Sequence, residues 1–174
     1  MPTVIAFESD AGVVVAADRT VVRGTTIAST SADRMLEFDD CGGAVVDDPD
    51  EARRHIDVEL RRYRTEHGES PTVEPYTRLL RDVVRDVGTD AVAAARDRDG
   101  EAQVRAVYAN GSVLEDPPLA LGTGAELALG RLEASRPSEL AEAAEFASDL
   151  LAGVAERDTR TGEEHDVWTL ADAN

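Results

Sequence analysis

Lysine is missing from this chain of 174 residues: all 18 basic side chains are arginine, set against 36 acidic ones, for a formal net charge of -18. A chain of that sign repels a phosphate backbone. No run of arginines is long enough to make a local basic patch, which excludes a nucleic-acid partner. Cysteine is almost missing too. The single Cys41 rules out an internal disulfide framework and a cysteine-rich metal site, and leaves a reducing compartment acceptable. His55, His67 and His165 lack ligand spacing, so neither a metal nor a cofactor is expected. No apolar run approaches the length that spans a bilayer, and Met1-Pro2-Thr3-Val4-Ile5-Ala6-Phe7 has no basic segment of the kind that opens a signal peptide. The expectation is a cytoplasmic protein with no membrane association.

The acidic residues are spread along the whole chain rather than gathered in a tail, so the surface itself is acidic. Self-repulsion on such a surface is relieved where the Debye length falls, to roughly 3 Å near 1 M salt. The composition therefore points to a halophile's cytoplasm. At 42% hydrophobic, a chain of this length can bury one core, and a single domain over residues 1–174 is expected.

Alternation and β-branched residues predict a hairpin of strands Thr3–Phe7 and Val13–Ala17 about a turn at Ser9–Gly12. A second pair is predicted at Arg34–Phe38 and Gly43–Val46, turning at Asp39–Gly42. Asp47-Asp48-Pro49 then opens a helix running to about Gly68, since proline suits a first turn and acidic groups suit the positive end of the helix dipole. After Pro71, Tyr76, Leu79, Leu80, Val83, Val84 and Val87 form the apolar stripe of a core-facing helix. Strands follow near Ala91–Ala95, Gln103–Ala109 and Ser112–Leu114, the last two joined by the favoured turn Asn110-Gly111. A helix after Gly122-Thr123-Gly124 runs to about Ala134. Another follows Arg136-Pro137-Ser138, with Leu140, Ala144, Ala147, Leu151 and Val154 on one face, before a closing strand His165–Leu170. Strands, two helices, strands, two helices and a strand is not βαβ alternation. It argues for an α+β fold with segregated layers. Two antiparallel sheets between helix layers satisfy the order, as do several other α+β folds.

Three stretches carry a more specific signal: Pro2-Thr3-Val4-Ile5-Ala6-Phe7; Gly12-Val13-Val14-Val15-Ala16-Ala17-Asp18-Arg19; and Gly24-Thr25-Thr26-Ile27-Ala28-Ser29. Together they resemble, without gaps, the N-terminal third of proteasome β subunits. Those enzymes begin with paired threonines, return through valines and alanines to Ala-Ala-Asp-Arg, and reach Ala-Ser before a functional lysine. Weaker similarity continues through Gly122-Thr123-Gly124 and Glu156-Arg157-Asp158 to the end of the chain. The α-type subunits carry an extra helix ahead of the first strand, so the likeness is to the β type, and the charge makes the expected source haloarchaeal. The resemblance implies the N-terminal-nucleophile hydrolase fold, a four-layer αββα sandwich of two antiparallel sheets between helix layers. It also implies partners: other proteasome-type subunits, or further copies of this chain, in a ring.

The family's chemistry needs a threonine at the mature N-terminus, whose hydroxyl attacks the amide and whose own α-amine is the base. In the ungapped match that position falls on Pro2, which has no hydroxyl, and Thr3 matches the second threonine. The family's aspartate falls on Asp18. Its lysine falls on Arg34, a planar fork rather than a compact ammonium. The oxyanion-shaping glycine falls at Asp48, whose carboxylate opposes developing negative charge. The serine near the nucleophile falls on Ala125, the late aspartate on Asp158, and Thr161 stands where a serine usually lies. Nucleophile, lysine, glycine and serine depart together, which favours a pseudoenzyme with a structural, assembly or regulatory role in a proteasome-like particle.

Other readings remain at the level of sequence. Pro2 is a secondary amine able to act as base or form an iminium. Thr3 would become the nucleophile if Met1 and Pro2 were both removed, at the cost of shifting the strand register by one and turning its side chains over. A third reading is a binding module holding a peptide in the old cleft without hydrolysis. Each residue also has a bland role: Asp18 as a strand end or turn cap, Asp158 as a helix-end cap, Gly122-Thr123-Gly124 as a loop entering a helix, Trp168 as core.

Overall fold

The computed structural model describes residues 1–173. The N-terminal hairpin forms as predicted, with β1 at Thr3–Ser9 and β2 at Gly12–Asp18. β1 is flanked by β10 (Leu119–Gly122) and β2 by β11 (His165–Ala171), giving an antiparallel sheet in the order β10-β1-β2-β11. β5 (Met35–Phe38), β6 (Cys41–Val45), β7 (Ala91–Arg96), β8 (Ala102–Val107) and β9 (Val113–Leu114) form a second antiparallel sheet in sequence order. The turn between β5 and β6 is tighter than the pattern suggests, only Asp39-Asp40. A separate hairpin, β3 (Val21–Arg23) and β4 (Thr26–Ser29), is an element the pattern does not predict.

Three apolar clusters define the layers. Val4, Ala6, Val13, Val15 and Ala17 of the first sheet meet Ala44, Val92, Ala94, Val104 and Ala106 of the second. The alternate residues Ile5, Phe7, Val14 and Ala16 face α3 (Ala125–Ala134) and α4 (Leu140–Ala155), against Leu132, Ala147, Leu150 and Leu151. On the far side, α1 (Pro49–His67) and α2 (Val73–Val87) cover the second sheet with Ile56, Leu60, Tyr76, Leu80 and Val84. The result is helix, sheet, sheet, helix. Both faces of β1 and β2 are buried, which is why they read as nearly unbroken apolar runs instead of alternating ones. Each fully buried Val, Ile or Leu is worth roughly 1.5–3 kcal/mol of transfer free energy, so these central strands anchor whatever their ends carry. Trp168 packs against the inter-sheet cluster, as a core residue would.

Candidate functional site

One transverse row at the end of the first sheet gathers the polar groups. Register pairs Gly122 with Thr3 and His165 with Asp18, and the step beyond Val4↔Ala17 brings Thr3 beside Asp18. Strand alternation sets the direction of the side chains. Thr3 shares the face of Ile5 and Phe7, and Asp18 that of Val14 and Ala16, so both point into the α3/α4 layer, where both are fully buried. Pro2, one residue earlier, falls on the face of Val4 and Ala6, toward the second sheet.

The Asp18 carboxylate is satisfied by main-chain donors. The Thr3 N–H donates to Oδ1 at 2.7 Å, while the N–H groups of Gly162 and Thr20 donate to Oδ2 at 2.9 and 3.1 Å. It therefore ties β1, the end of β2 and the α4–β11 loop into one unit. A Cβ on Gly162 would overlap the Thr20 hydroxyl, so only glycine brings this amide so close.

Asp158 organises the neighbouring loop. It accepts from the Thr161 hydroxyl (2.6 Å), the Thr123 hydroxyl (2.7 Å) and the Arg160 N–H (3.1 Å). Burial pushes its pKa up, but the hydrogen bonds from Thr161, Thr123 and Arg160 and the nearby N-terminal charge outweigh that and hold it below the usual 3.8. Ionised, it can only accept, so the one proton of Thr161 is committed to it. That fixes the sense of the next bond. At 2.7 Å the Thr3 hydroxyl donates to Thr161 Oγ1, and the Gly124 N–H donates to Thr3 Oγ1 at 3.0 Å. The Thr3 hydroxyl thus has both its proton and a lone pair engaged.

Gly122-Thr123-Gly124 is more than an entry to a helix. Gly122 has φ 94° and lies against the Pro2 carbonyl, where a Cβ would overlap it. A Cβ on Gly124 would press on Thr3 Oγ1 and Val154. Ala125, the first residue of α3, adds no polar atom beside them.

Arg34 and Asp48 lie on the other side, lining a cleft of ≈ 570 Å³ with Val21, Val22, Asp47 and Arg54. Arg34 is only 2% exposed. Its guanidinium donates to three main-chain carbonyls: Nε to Val46 (2.8 Å), Nη1 to Asp18 (2.9 Å) and Nη2 to Thr20 (2.6 Å). Burial lowers its pKa while Asp18 and Asp47 raise it, for a net fall. Among the described residues it forms no ion pair. Asp48 caps α1 in a left-handed conformation (φ 50°, ψ 50°), the one non-glycine residue with positive φ among those described. That backbone shape suits glycine, and here it carries an exposed carboxylate to the rim of the cleft.

Residues read from sequence thus separate into two groups. Asp18, Asp158 and Thr161 converge with Thr3 in the α3/α4 layer, while Arg34 and Asp48 sit at the cleft. Thr20, Gly162 and Thr123 of the Gly122-Thr123-Gly124 motif complete the first group; Gly162 and Thr123 meet their carboxylates only across the fold, and Thr20 reaches Asp18 in a turn that the sequence does not mark.

The family model for the proteasome subunit matches residues 2–170. The chain belongs to the proteasome subunit family. The proteasome subunit beta of Methanohalophilus mahii is 29% identical over 168 residues, spanning 90% of this chain and 80% of that protein. That of Methanopyrus kandleri is 28% identical over 188 residues, 97% of this chain and 86% of the relative. The proteasome subunit beta of Haloquadratum walsbyi is 25% identical over 169 residues, 92% and 69% respectively. These proteasome relatives are of the β type, in agreement with the pattern of the first strands. The α+β layering is that of the family.

Proposed function

We propose that this chain is a non-catalytic β-type proteasome subunit, retained for its fold and its packing with other proteasome-type subunits, or with further copies of itself, in the cytoplasm of a salt-rich cell. The observation that carries the reading is the division of the site. Pro2, at the head of β1, is buried, has no hydroxyl and is not among the residues that line the cleft. The neighbouring threonine points into the opposite layer, with its hydroxyl engaged by Thr161 and Gly124. In this reading the remaining family positions hold the strand ends together: Asp18 and Asp158 through hydrogen bonds, Arg34 as a clamp on three carbonyls. Asp48 brings negative charge to the place where an oxyanion would need a donor.

Removal of Met1 and Pro2 would not rescue Thr3. The new amine would stand where the amide now meets a buried carboxylate at 2.7 Å, a neighbour that favours the protonated amine and weakens it as a base. Its hydroxyl would still face away from the cleft.

Purification from its source in molar KCl, followed by sedimentation and identification of co-eluting chains, tests the assembly role. Recovery in a ring-sized particle is expected. A strictly monomeric species, free of other proteasome subunits, would contradict it.

A further inference from the structure

A second constellation with nucleophilic chemistry stands apart from the cleft. Ser148, on the half-buried flank of α4, lies with its Oγ 2.6 Å from Nε2 of His165, the first residue of β11. The other ring nitrogen, Nδ1, is 2.9 Å from the Glu163 carbonyl. A carbonyl oxygen only accepts, so Nδ1 carries the imidazole proton in the neutral ring and Nε2 presents its lone pair to the Ser148 hydroxyl. Nucleophile, base and orienter are therefore within hydrogen-bond reach in the correct sense.

The base is held on both sides. His165 is paired in register with Asp18. The Arg19 N–H donates to the Glu164 carbonyl at 2.9 Å, and Arg19 pairs with Asp166 at 3.3 Å, fixing the residues before and after the ring. His165 shares its face of the sheet with Val167, which packs against the α3/α4 layer, so the imidazole is directed onto α4 rather than into solvent. Neither Ser148 nor His165 is fully buried, and neither takes part in the Asp158 network or the Arg34 cleft.

We propose that Ser148 is an acylable serine, activated by His165, that reacts with small activated carboxylic esters and with organophosphonates. In the step, Ser148 Oγ bonds to the acyl carbon and the ester C–O bond breaks. The hydroxyl proton passes to His165 Nε2 and from there to the departing oxygen. Ester and protein go to acyl-serine and free alcohol; with a fluorophosphonate, Oγ bonds to phosphorus, the P–F bond breaks, and phosphonyl-serine and hydrogen fluoride result, with no oxidant or further reactant required in either case. The inference does not depend on the fate of the family cleft, since it uses other residues on the opposite side of the first sheet.

The test is incubation of the full-length protein in molar KCl with a fluorophosphonate, and separately with p-nitrophenyl acetate, followed by intact mass and peptide mapping. One adduct per chain, mapped to Ser148, is expected. Ser148→Ala should remove it, and His165→Gln, which keeps a polar side chain but no base, should slow its formation by about 100-fold, a modest general-base contribution. Labelling no faster than for a denatured control, or an adduct at another residue in the wild-type chain, would overturn the proposal. Both of those outcomes are read on the wild-type chain alone, so they hold whether or not the variants fold.

Discussion

Replacing Arg34 by lysine separates a structural guanidinium from a tuning charge. Both side chains are cations, so a purely electrostatic role survives the change. The geometry does not. The guanidinium reaches the carbonyls of Val46, Asp18 and Thr20 at once, from three nitrogens in one plane. An ammonium is a single point at the end of a flexible stem, and it can keep one of these bonds in place. Two carbonyls in the interior then lose their donor, at about 1–3 kcal/mol each. A loss of about 4 kcal/mol is the central expectation, and for a chain of this size it lowers the melting temperature by roughly 8–16 °C. Urea unfolding in molar KCl, which keeps ionic strength constant across the titration, measures the difference as a shift in midpoint at unchanged slope. A variant within about 0.5 kcal/mol of the wild type, the range of unremarkable surface substitutions, would refute the clamp. Appearance of peptide hydrolysis in Arg34→Lys would refute it from the functional side.

Asp18→Asn should cost a similar amount, because the amide keeps one acceptor oxygen and turns an NH₂ group toward an N–H donor, leaving buried donors unpaired at about 1–3 kcal/mol each; thermal unfolding reads it. Asp158 sets an acid limb. Its folded pKa is lowered, so its contribution is complete above the unfolded value of 3.8 and is lost as pH falls below that through the folded value; Asp158→Asn should flatten the stability curve in this window and leave its slope near neutrality unchanged. With a net charge of -18, the melting temperature should rise between 0.1 M and 2 M KCl as screening shortens from about 10 Å to about 3 Å or less, and a flat response would remove the argument for a saline cytoplasm.

The helices and paired strands are legible where burial writes a period into the sequence. α2 is the clearest case: Tyr76, Leu80, Val83 and Val84 are buried as its stripe requires. The β3–β4 hairpin is invisible in the sequence because almost nothing on it is buried. Ile27 is 55% exposed, and the segment has neither alternation nor a core face to reveal it. β10 escapes sequence reasoning for another cause: its four residues follow two prolines and become a strand only by pairing with β1, more than a hundred residues earlier. At the site, Asp18, Arg34 and Asp158 can be placed through resemblance, but their bonds cannot. The sense of the Thr3–Thr161–Asp158 chain depends on residues 3, 161 and 158 meeting across the fold. The Ser148–His165 pair, 17 residues apart on a helix and a strand, likewise needs the register of β11.

The most direct test of the central claim is a fluorogenic peptide hydrolysis assay on native protein purified in molar salt, with intact mass and N-terminal sequencing of the same sample. The account predicts Pro2 retained in the mature chain and no turnover above the buffer rate. A chain beginning at Thr3, with turnover that Thr3→Ala abolishes, would contradict it.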